Sequence, residues 1–263
     1  MKENAPLPTR TFLWVAVAFL LFLSCDSPFS STDDGEDGPD EPVAPPPCVV
    51  MSSSTQEMQP LAVGNYWVYH TWFITPNIQS VLREEITRSH EIECLDGKFR
   101  AYSTRIFHHY QNTPRIPGAE WLVANSDRGL ESVGAIAQND TLLLVSPKYQ
   151  FTTTELEKWL FELPNYDARL DTFFSVEKFE MQLIDTEGVF TTDYGHFENC
   201  HVFRFEEKGK DDAIYTWHHY IYFKPGFGMV GRRTRDVLFA EDVDDPNLPI
   251  IGEWTLIDYK NEQ

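Results

Sequence analysis

Segments in which apolar and polar residues alternate recur from about residue 61 to residue 259, with Gly, Asn, Asp, Ser or Pro between them. A period of two residues is typical of strands that bury one face, and turn residues at this spacing favour hairpins. We predict strands at 66–74, 81–94, 99–110, 121–125, 130–137, 141–145, 172–184, 188–192, 199–206, 214–223, 229–238 and 254–259. The pattern therefore predicts an all-β domain, an antiparallel meander that closes into a barrel or half-barrel because closure removes exposed strand edges.

One segment departs from this alternation and has helical spacing instead. Thr154 and Glu157 fit a capping box, and apolar residues recur at helical intervals before Pro164, at Leu156, Trp159, Leu160 and Leu163. We expect one short helix here that plugs or covers the sheet. A hydrophobic loop packed on the mouth of the barrel is the alternative.

The N-terminus has the pattern of an export signal. Lys2 and Arg10 precede a run at 12–23 that contains no polar side chain. Such a run spans about 18 Å as a helix, which is shorter than a hydrocarbon core of about 30 Å, so a permanent membrane span is not expected. We predict a signal peptide at 1–24, a tether at 25–60 and a single β domain at 61–263.

The end of this run, Leu21-Phe22-Leu23-Ser24-Cys25, resembles the lipobox of bacterial lipoproteins. The resemblance implies a type II signal peptide, acylation of Cys25 and a mature chain that begins at this cysteine. Several acyl chains hold a soluble domain at a bilayer, because each buried methylene contributes about 0.8 kcal/mol. Ordinary secretion, with Cys25 as a small residue near a cleavage site, is the alternative.

The segment that follows Cys25 has a different composition. Residues 26–47 contain seven acidic and no basic side chains, together with many Ser, Gly and Pro. We expect a disordered, extended and self-repelling tether. An acidic run here resembles the export signal of surface lipoproteins in some Gram-negative bacteria, which favours an outer-membrane lipoprotein, periplasmic or surface-exposed. Retention at the inner membrane through Asp26, or a linker with no sorting role, are the alternatives.

Composition narrows the classes of partner. The chain has 41 acidic and 21 basic residues, a formal charge of −20, and 14% aromatic side chains. Nucleic-acid binding is not expected, because it requires surplus Lys and Arg on one surface. The aromatic content is too high for a chain that is disordered throughout, so most of it is expected to fold.

Three short motifs follow one another along the predicted domain: Val63-Gly64-Asn65-Tyr66-Trp67-Val68-Tyr69, Gly195-His196-Phe197-Glu198-Asn199-Cys200 and Pro225-Gly226-Phe227-Gly228-Met229-Val230. Together they resemble a group of uncharacterised bacterial lipoproteins with VGNxWxY, GxFxNC and PGxGxV patterns. That resemblance implies a β fold in the cell envelope and no particular activity. Physically the motifs indicate architecture, since Gly64 and Asn65 turn the chain into a strand, and Gly226 and Gly228 permit a tight connection.

Three cysteines remain once Cys25 is acylated, which is an odd number for an oxidising compartment. We predict a possible disulfide between Cys94 and Cys200, because both lie in predicted strands whereas Cys48 ends the tether. Three free, buried thiols are one alternative. A bridge that uses Cys48 is another.

Metal sites are weakly supported. Histidines occur at 108, 109, 196, 201, 218 and 219, but adjacent residues of a strand point to opposite faces, so each pair places one ring inside. Zinc would need one inward His from each pair, with His201 or Glu198.

A calcium site would have to use the oxygen ligands of the loop that carries Asp242, Asp244, Asp245 and Asn247. This loop lacks the glycine and the distant Glu of an EF-hand, so we expect a solvated loop rather than a calcium site. We predict no metal and no cofactor.

Catalysis has no support from local motifs. The sequence has no GxSxG, no HExxH and no phosphate-binding glycine loop.

Large aromatic side chains are abundant in the predicted domain, with tryptophans at 67, 72, 121, 217 and 254. We therefore predict a lipid-anchored envelope protein whose β domain binds an apolar or aromatic-stacking ligand, or an envelope protein. A secreted hydrolase of an extracellular polymer and a structural lipoprotein without a pocket are the alternatives.

Overall fold

The computed structural model describes residues 48–49, 58–110, 116–127, 129–136, 140–152, 158–167, 172–208, 215–243 and 245–261. The predicted signal peptide, Cys25 and the acidic run at 26–47 lie outside these residues. Within the described ranges, no helix is long and apolar enough to cross a membrane.

Twelve antiparallel strands form one sheet in the described part of the chain. They are β1 (Tyr66–Phe73), β2 (Thr75–Cys94), β3 (Gly97–Tyr110), β4 (Ile116–Ser126), β5 (Gly129–Ile136), β6 (Leu142–Thr152), β7 (Trp159–Asp167), β8 (Thr172–Thr191), β9 (His196–Lys208), β10 (Thr216–Lys224), β11 (Gly228–Asp236) and β12 (Ile250–Lys260). The strand order is β6-β5-β4-β3-β2-β1-β12-β11-β10-β9-β8-β7. The first and last described strands thus lie in the middle of the sheet, where β1 pairs with β12. The all-β meander is confirmed.

The sheet curves so that its end strand β6 approaches β9 and β10 across one face. Phe151 on β6 has its ring centroid 5.0 Å from that of Phe203 on β9 and 4.8 Å from that of Phe223 on β10. Trp159 on β7 also contacts Phe203, at 6.0 Å. Because β6 and β9 are far apart in the strand order, these contacts require curvature. A half-barrel fits this arrangement.

Strand β1 shows how the sequence directs one face inward. Trp67, Tyr69 and Thr71 are buried, whereas the residues between them are more exposed, as alternation predicts. We call the face that carries these three side chains the inner face. Gly64, with a φ of 94°, makes the turn into this strand, and the buried Asn65 donates to the carbonyl of Pro60.

The predicted helix is wrong where the structure describes it. Trp159, Leu160 and Leu163 belong to β7, which pairs with β8 from Trp159↔Met181 onward. Short apolar runs have no unique period, and here pairing with β8 prevails over the local helical spacing. Pro164 is compatible with this strand because β7 is the last strand of the sheet. Thr154, Leu156 and Glu157 lie outside the described residues.

The predicted pairing of Cys94 with Cys200 is also wrong. Cys94 forms its disulfide with Cys48. In the strand order β2 and β9 are separated by β1, β12, β11 and β10, about 24 Å along the sheet, whereas bridged Cα atoms lie within about 7 Å. Cys200 is a free, buried thiol beside Phe190 and Val230. Burial raises the pKa of this thiol to about 11, so it stays protonated.

Candidate functional site

The three sequence motifs meet in space on β1, β9 and the β10–β11 connection. The indole Nε1 of Trp67 donates to the carbonyl of Phe227 at 2.9 Å, and the hydroxyl of Tyr69 donates to the carbonyl of Met229 at 3.0 Å. The ring of Phe197 lies 5.2 Å from that of Phe227. The motifs therefore join two strand ends to a tight turn, and their role in this geometry is architectural.

The inner face continues from β1 across the second half of the sheet. Directly paired residues of neighbouring strands share a face. The register pairs Thr71 with Trp254, Trp254 with Arg232, Arg232 with Ile221 and Ile221 with Phe203. Side chains two or four positions from these residues on the same strand also point inward, unless a bulge intervenes.

Four polar side chains on β9, β10 and β11 form what we call the inner polar cluster. They are Glu207, His219, Arg232 and Thr234. His219 pairs directly with Thr234, and its own ring stacks on that of Phe205 with centroids 4.4 Å apart. Polar groups that are buried among aromatic rings require hydrogen-bond partners. The hydrogen bonds within this cluster therefore determine the protonation state of each side chain.

His219 is the centre of the cluster and has 1% of its surface exposed. Its Nε2 lies 2.9 Å from a carboxylate oxygen of Glu207, and its Nδ1 lies 2.9 Å from the hydroxyl of Thr234. The Nη2 of Arg232 lies 2.7 Å from the same Nδ1. Because a guanidinium can only donate, Nδ1 must accept, and Nε2 carries the proton that is donated to Glu207.

The electrostatics of His219 agree with this tautomer. Burial, followed by the charges of Arg232 and His218, lowers the pKa of His219 well below its ordinary value of 6.5. The imidazole is therefore neutral near pH 7, with both nitrogens occupied. A general base needs a nitrogen that is free to take a proton, which this arrangement does not offer.

Arg232 is the cation of the cluster and is half-buried. Its guanidinium carbon lies 5.3 Å from the ring centroid of Phe205 and 5.2 Å from that of Trp254, within the range of cation–π contacts. Its buried Nε has no hydrogen-bond partner. Burial lowers the pKa of Arg232 to about 10, an effect that Glu207 opposes, so the side chain remains charged at neutral pH.

Three partly exposed rings form what we call the aromatic rim, at the end of β1 and the start of β10. The ring of Trp217 stacks on that of Tyr215 with centroids 4.0 Å apart and meets that of Phe73 edge-on at 5.0 Å. The hydroxyl of Tyr215 donates to Glu207 at 3.1 Å. The rim is therefore continuous with the inner polar cluster.

A second carboxylic acid, Glu84, is paired with Trp67 on the inner face of β2. It accepts a hydrogen bond from the hydroxyl of Thr104 at 3.2 Å. Burial raises the pKa of Glu84. Burial and the charge of Glu84 together raise the pKa of Tyr69 well above 10, so this phenol stays protonated.

The sequence-predicted metal candidates are dispersed. His218 and His219 point to opposite faces, as adjacent strand residues should, and His218 faces Glu206 at 3.3 Å. His196 is exposed and lies beside Thr191. Among the described residues, no group of three or more His, Cys, Asp or Glu is placed to hold a metal ion. The side chains at 108 and 109, and all of residue 244, lie outside what the structure describes.

The inner polar cluster was not among the sequence candidates. Arg232 belongs to a strand that also carries Arg233 and Arg235, and nothing in their spacing distinguishes the three. The register of β9, β10 and β11 decides which arginine meets His219, and one sequence does not contain that register.

Comparisons with known proteins identify solved structures only. No family model and no curated protein matches the chain. One similar structure is that of a candidate lipoprotein from Parabacteroides distasonis, at 14% identity over 79% of this chain and 100% of that chain, with a TM-score of 0.48. Another is that of a candidate exported protein with a YmcC-like fold from Bacteroides fragilis, at 12% identity over 81% of this chain and 100% of that chain, with a TM-score of 0.44.

Proposed function

We propose that this protein is a lipid-anchored cell-envelope protein whose β domain binds an apolar or aromatic-stacking ligand at its inner face. One observation carries the proposal: the partly exposed rings of Phe73, Tyr215 and Trp217 lead directly to buried polar groups. Small-molecule sites typically combine mostly apolar walls with a few polar groups that fix orientation. The aromatic rim and the inner polar cluster supply both elements.

The location proposed is the outer membrane, on its periplasmic or cell-surface side. The disulfide between Cys48 and Cys94 supports an oxidising compartment, because cytosolic proteins rarely keep such bonds. The lipobox that ends at Cys25 and the acidic run at 26–47 support anchoring and display. A net charge of −20 also keeps the chain away from anionic surfaces, which suits a domain held off the membrane by a tether.

Hydrolysis is the less favoured alternative. The pair of His219 and Glu207 has the orientation of a base and its partner, but Arg232 and Thr234 occupy the nitrogen that would have to act. A structural lipoprotein without a ligand is distinguished from a binding protein by the following experiment.

The ligand-binding proposal is tested with the mature chain carrying Cys25→Ala, which removes the acyl groups, and the uncharged naphthalene dye prodan. We expect saturable binding that Trp217→Ala weakens about tenfold, because a lost aromatic contact is worth about 1.4 kcal/mol. The matched control is Tyr194→Ala, since Tyr194 is 47% exposed and precedes β9 at the opposite end of that strand. Absence of saturable binding, or equal losses in both variants, would favour the structural role.

Anchoring is tested separately in the bacterium that makes the protein. The native chain is expected in the membrane fraction, and the Cys25→Ala variant is expected in the soluble envelope fraction or the medium, because no acyl chain then holds it. Cys200→Ala is the control, since its thiol is buried in the domain and should not affect fractionation. A Cys25→Ala protein that stays in the membrane with a processed signal would refute lipid anchoring.

A further inference from the structure

We propose that the inner face binds an apolar carboxylic acid, with Arg232 as the group that receives its carboxylate. This inference rests on the proposed ligand-binding function and specifies the chemistry of the ligand. It follows from the surroundings of one guanidinium group and from its depth below the aromatic rim.

The first observation is the incomplete hydrogen bonding of Arg232. Its Nη2 meets the neutral Nδ1 of His219, and its buried Nε has no hydrogen-bond partner. An unpaired buried donor is costly, whereas a carboxylate can accept two parallel hydrogen bonds from one guanidinium edge. An anionic ligand would therefore complete the hydrogen bonding of a group that the protein holds in place.

The rigidity of the surroundings is the second observation. The guanidinium lies against the rings of Phe205 and Trp254, and His219 is itself fixed by Glu207 and Thr234. A side chain held in this way loses little entropy when it binds an anion, which favours recognition. Glu207 accepts from His219 and Tyr215, so its charge is already partly satisfied by neutral donors.

Charge balance favours a monoanion over a phosphate or sulfate polymer. The inner polar cluster contains one cation, Arg232, and one carboxylate, Glu207. A dianion would need further cations, and the net charge of −20 opposes polyanions at long range. Because Glu207 already offsets the charge of Arg232, a bound monoanion leaves one net negative charge in the cluster and a dianion leaves two, so the monoanion is the less costly ligand.

The distance between Arg232 and the aromatic rim determines how long the apolar part of the ligand must be. Trp217 pairs with Asp236, and Ile221 pairs with Arg232, so Arg232 lies four residues deeper than the rim, or about 13 Å along the strands. At the rim the ligand would contact Phe73 and the stack of Tyr215 on Trp217. A ligand with its acid group at Arg232 therefore needs an apolar tail that reaches the aromatic rim, as in a medium-chain or long-chain fatty acid.

The test compares dodecanoic acid with dodecanol as competitors of prodan, at a mildly alkaline pH where the acid is ionised. In the Cys25→Ala mature chain, we expect the acid to displace the dye about tenfold more strongly than the alcohol, the factor that a charged hydrogen-bonded pair supplies. Arg232→Met should remove this preference and leave dodecanol unaffected. Arg233→Met is the matched control, because Arg233 lies on the other face, where it pairs with Glu253 at 2.8 Å.

The possible outcomes distinguish failure of the carboxylate inference from failure of the proposed function. If the acid and the alcohol displace the dye equally from the otherwise native chain, the carboxylate inference is wrong and the apolar site stands. If prodan itself does not bind, both the inference and the proposed function fail. Should Arg232→Met not fold, Arg232→Lys keeps the charge without the planar fork, and is expected to retain part of the acid preference. An unchanged preference in a folded Arg232→Met protein would overturn the inference.

Discussion

The indole of Trp67 lies against the backbone of Gly228, and its Nε1 donates to the carbonyl of Phe227 at 2.9 Å. A Cβ on Gly228 would lie 3.1 Å from that Nε1, and this glycine has a φ of 108°. The connection between β10 and β11 is thus shaped by a ring from β1, two strands away in the sheet. Glycine is required here for two independent reasons, its backbone conformation and the space taken by the ring.

Alanine substitutions at three glycines separate these reasons. Gly228→Ala should destabilise the protein by about 2–4 kcal/mol, because it adds a tight contact to a left-handed conformation. Gly226→Ala should cost only about 1–2 kcal/mol, since its φ is 77° but no atom lies within 4 Å of the added Cβ. Gly195→Ala, with open space and an ordinary φ, should be close to neutral. Urea unfolding of the three variants measures the order, and equal losses at 226 and 228 would show that the Trp67 contact contributes nothing.

The disulfide should supply a large part of the stability of the domain. Cys48 and Cys94 are 46 residues apart, and closing a loop of that length stabilises by about 4 kcal/mol in the chain-entropy model. The double variant Cys48→Ser, Cys94→Ser should therefore unfold at much lower denaturant concentration. Adding a reductant should destabilise the native protein to the same degree and leave the double variant unchanged. A native protein that is insensitive to reductant under unfolding conditions would contradict the stabilising role.

Stability should fall below neutral pH because of His219. The native imidazole is neutral with a lowered pKa, whereas the unfolded chain takes up a proton below pH 6.5. The contribution of His219 is therefore complete above that pH and decreases as the pH falls, by about 1.4 kcal/mol per pH unit. His219→Gln keeps a donor and an acceptor, so its free energy of unfolding should depend less on pH than that of the native chain. His201 also has a pKa lowered by burial, but it is present in both proteins and cancels in the difference. Parallel pH profiles would show that His219 has the same pKa in the folded and unfolded chains, which would contradict the lowering by burial.

Local patterns predicted most of the strands because alternation is a property of a few adjacent residues. The segment around Trp67 and Tyr69 alternates as expected, and β1 begins at Tyr66 as predicted. The dipeptide Asp96-Gly97 predicts a two-residue hairpin turn at these positions. The structure places the turn one residue earlier, at Leu95 and Asp96, since Cys94 pairs with Gly97.

Contacts between residues on distant strands could not be predicted from local sequence patterns. Cys94 pairs with Cys48 because Cys48 packs against the cluster that contains Ile92 of β2 and Phe99 of β3. Nothing local in the sequence places residue 48 there. The inner polar cluster depends on the register of three strands, which a shift of one residue would turn to the other face. The sequence predicts a strand at 229–238, but the meeting of Arg232 with His219 is a property of the assembled sheet.

Glu120 provides a measure of how burial changes the strength of an ion pair. Its carboxylate is 8% exposed and bonds to Arg105 and, at 2.9 Å, to Arg88, whereas Asp140, which is 73% exposed, bonds to the same Arg88 at the same distance. Removing a buried partner leaves desolvated charges without compensation, while exposed pairs are screened by water. Glu120→Gln should therefore destabilise by about 2 kcal/mol, less than for a fully buried pair because both arginines are partly exposed. Asp140→Asn should change the free energy of unfolding by less than about 0.5 kcal/mol. This small effect should disappear at high salt, whereas the effect of Glu120→Gln should persist. Equal losses in the two variants, measured by urea unfolding, would mean that burial of Glu120 does not strengthen its contacts.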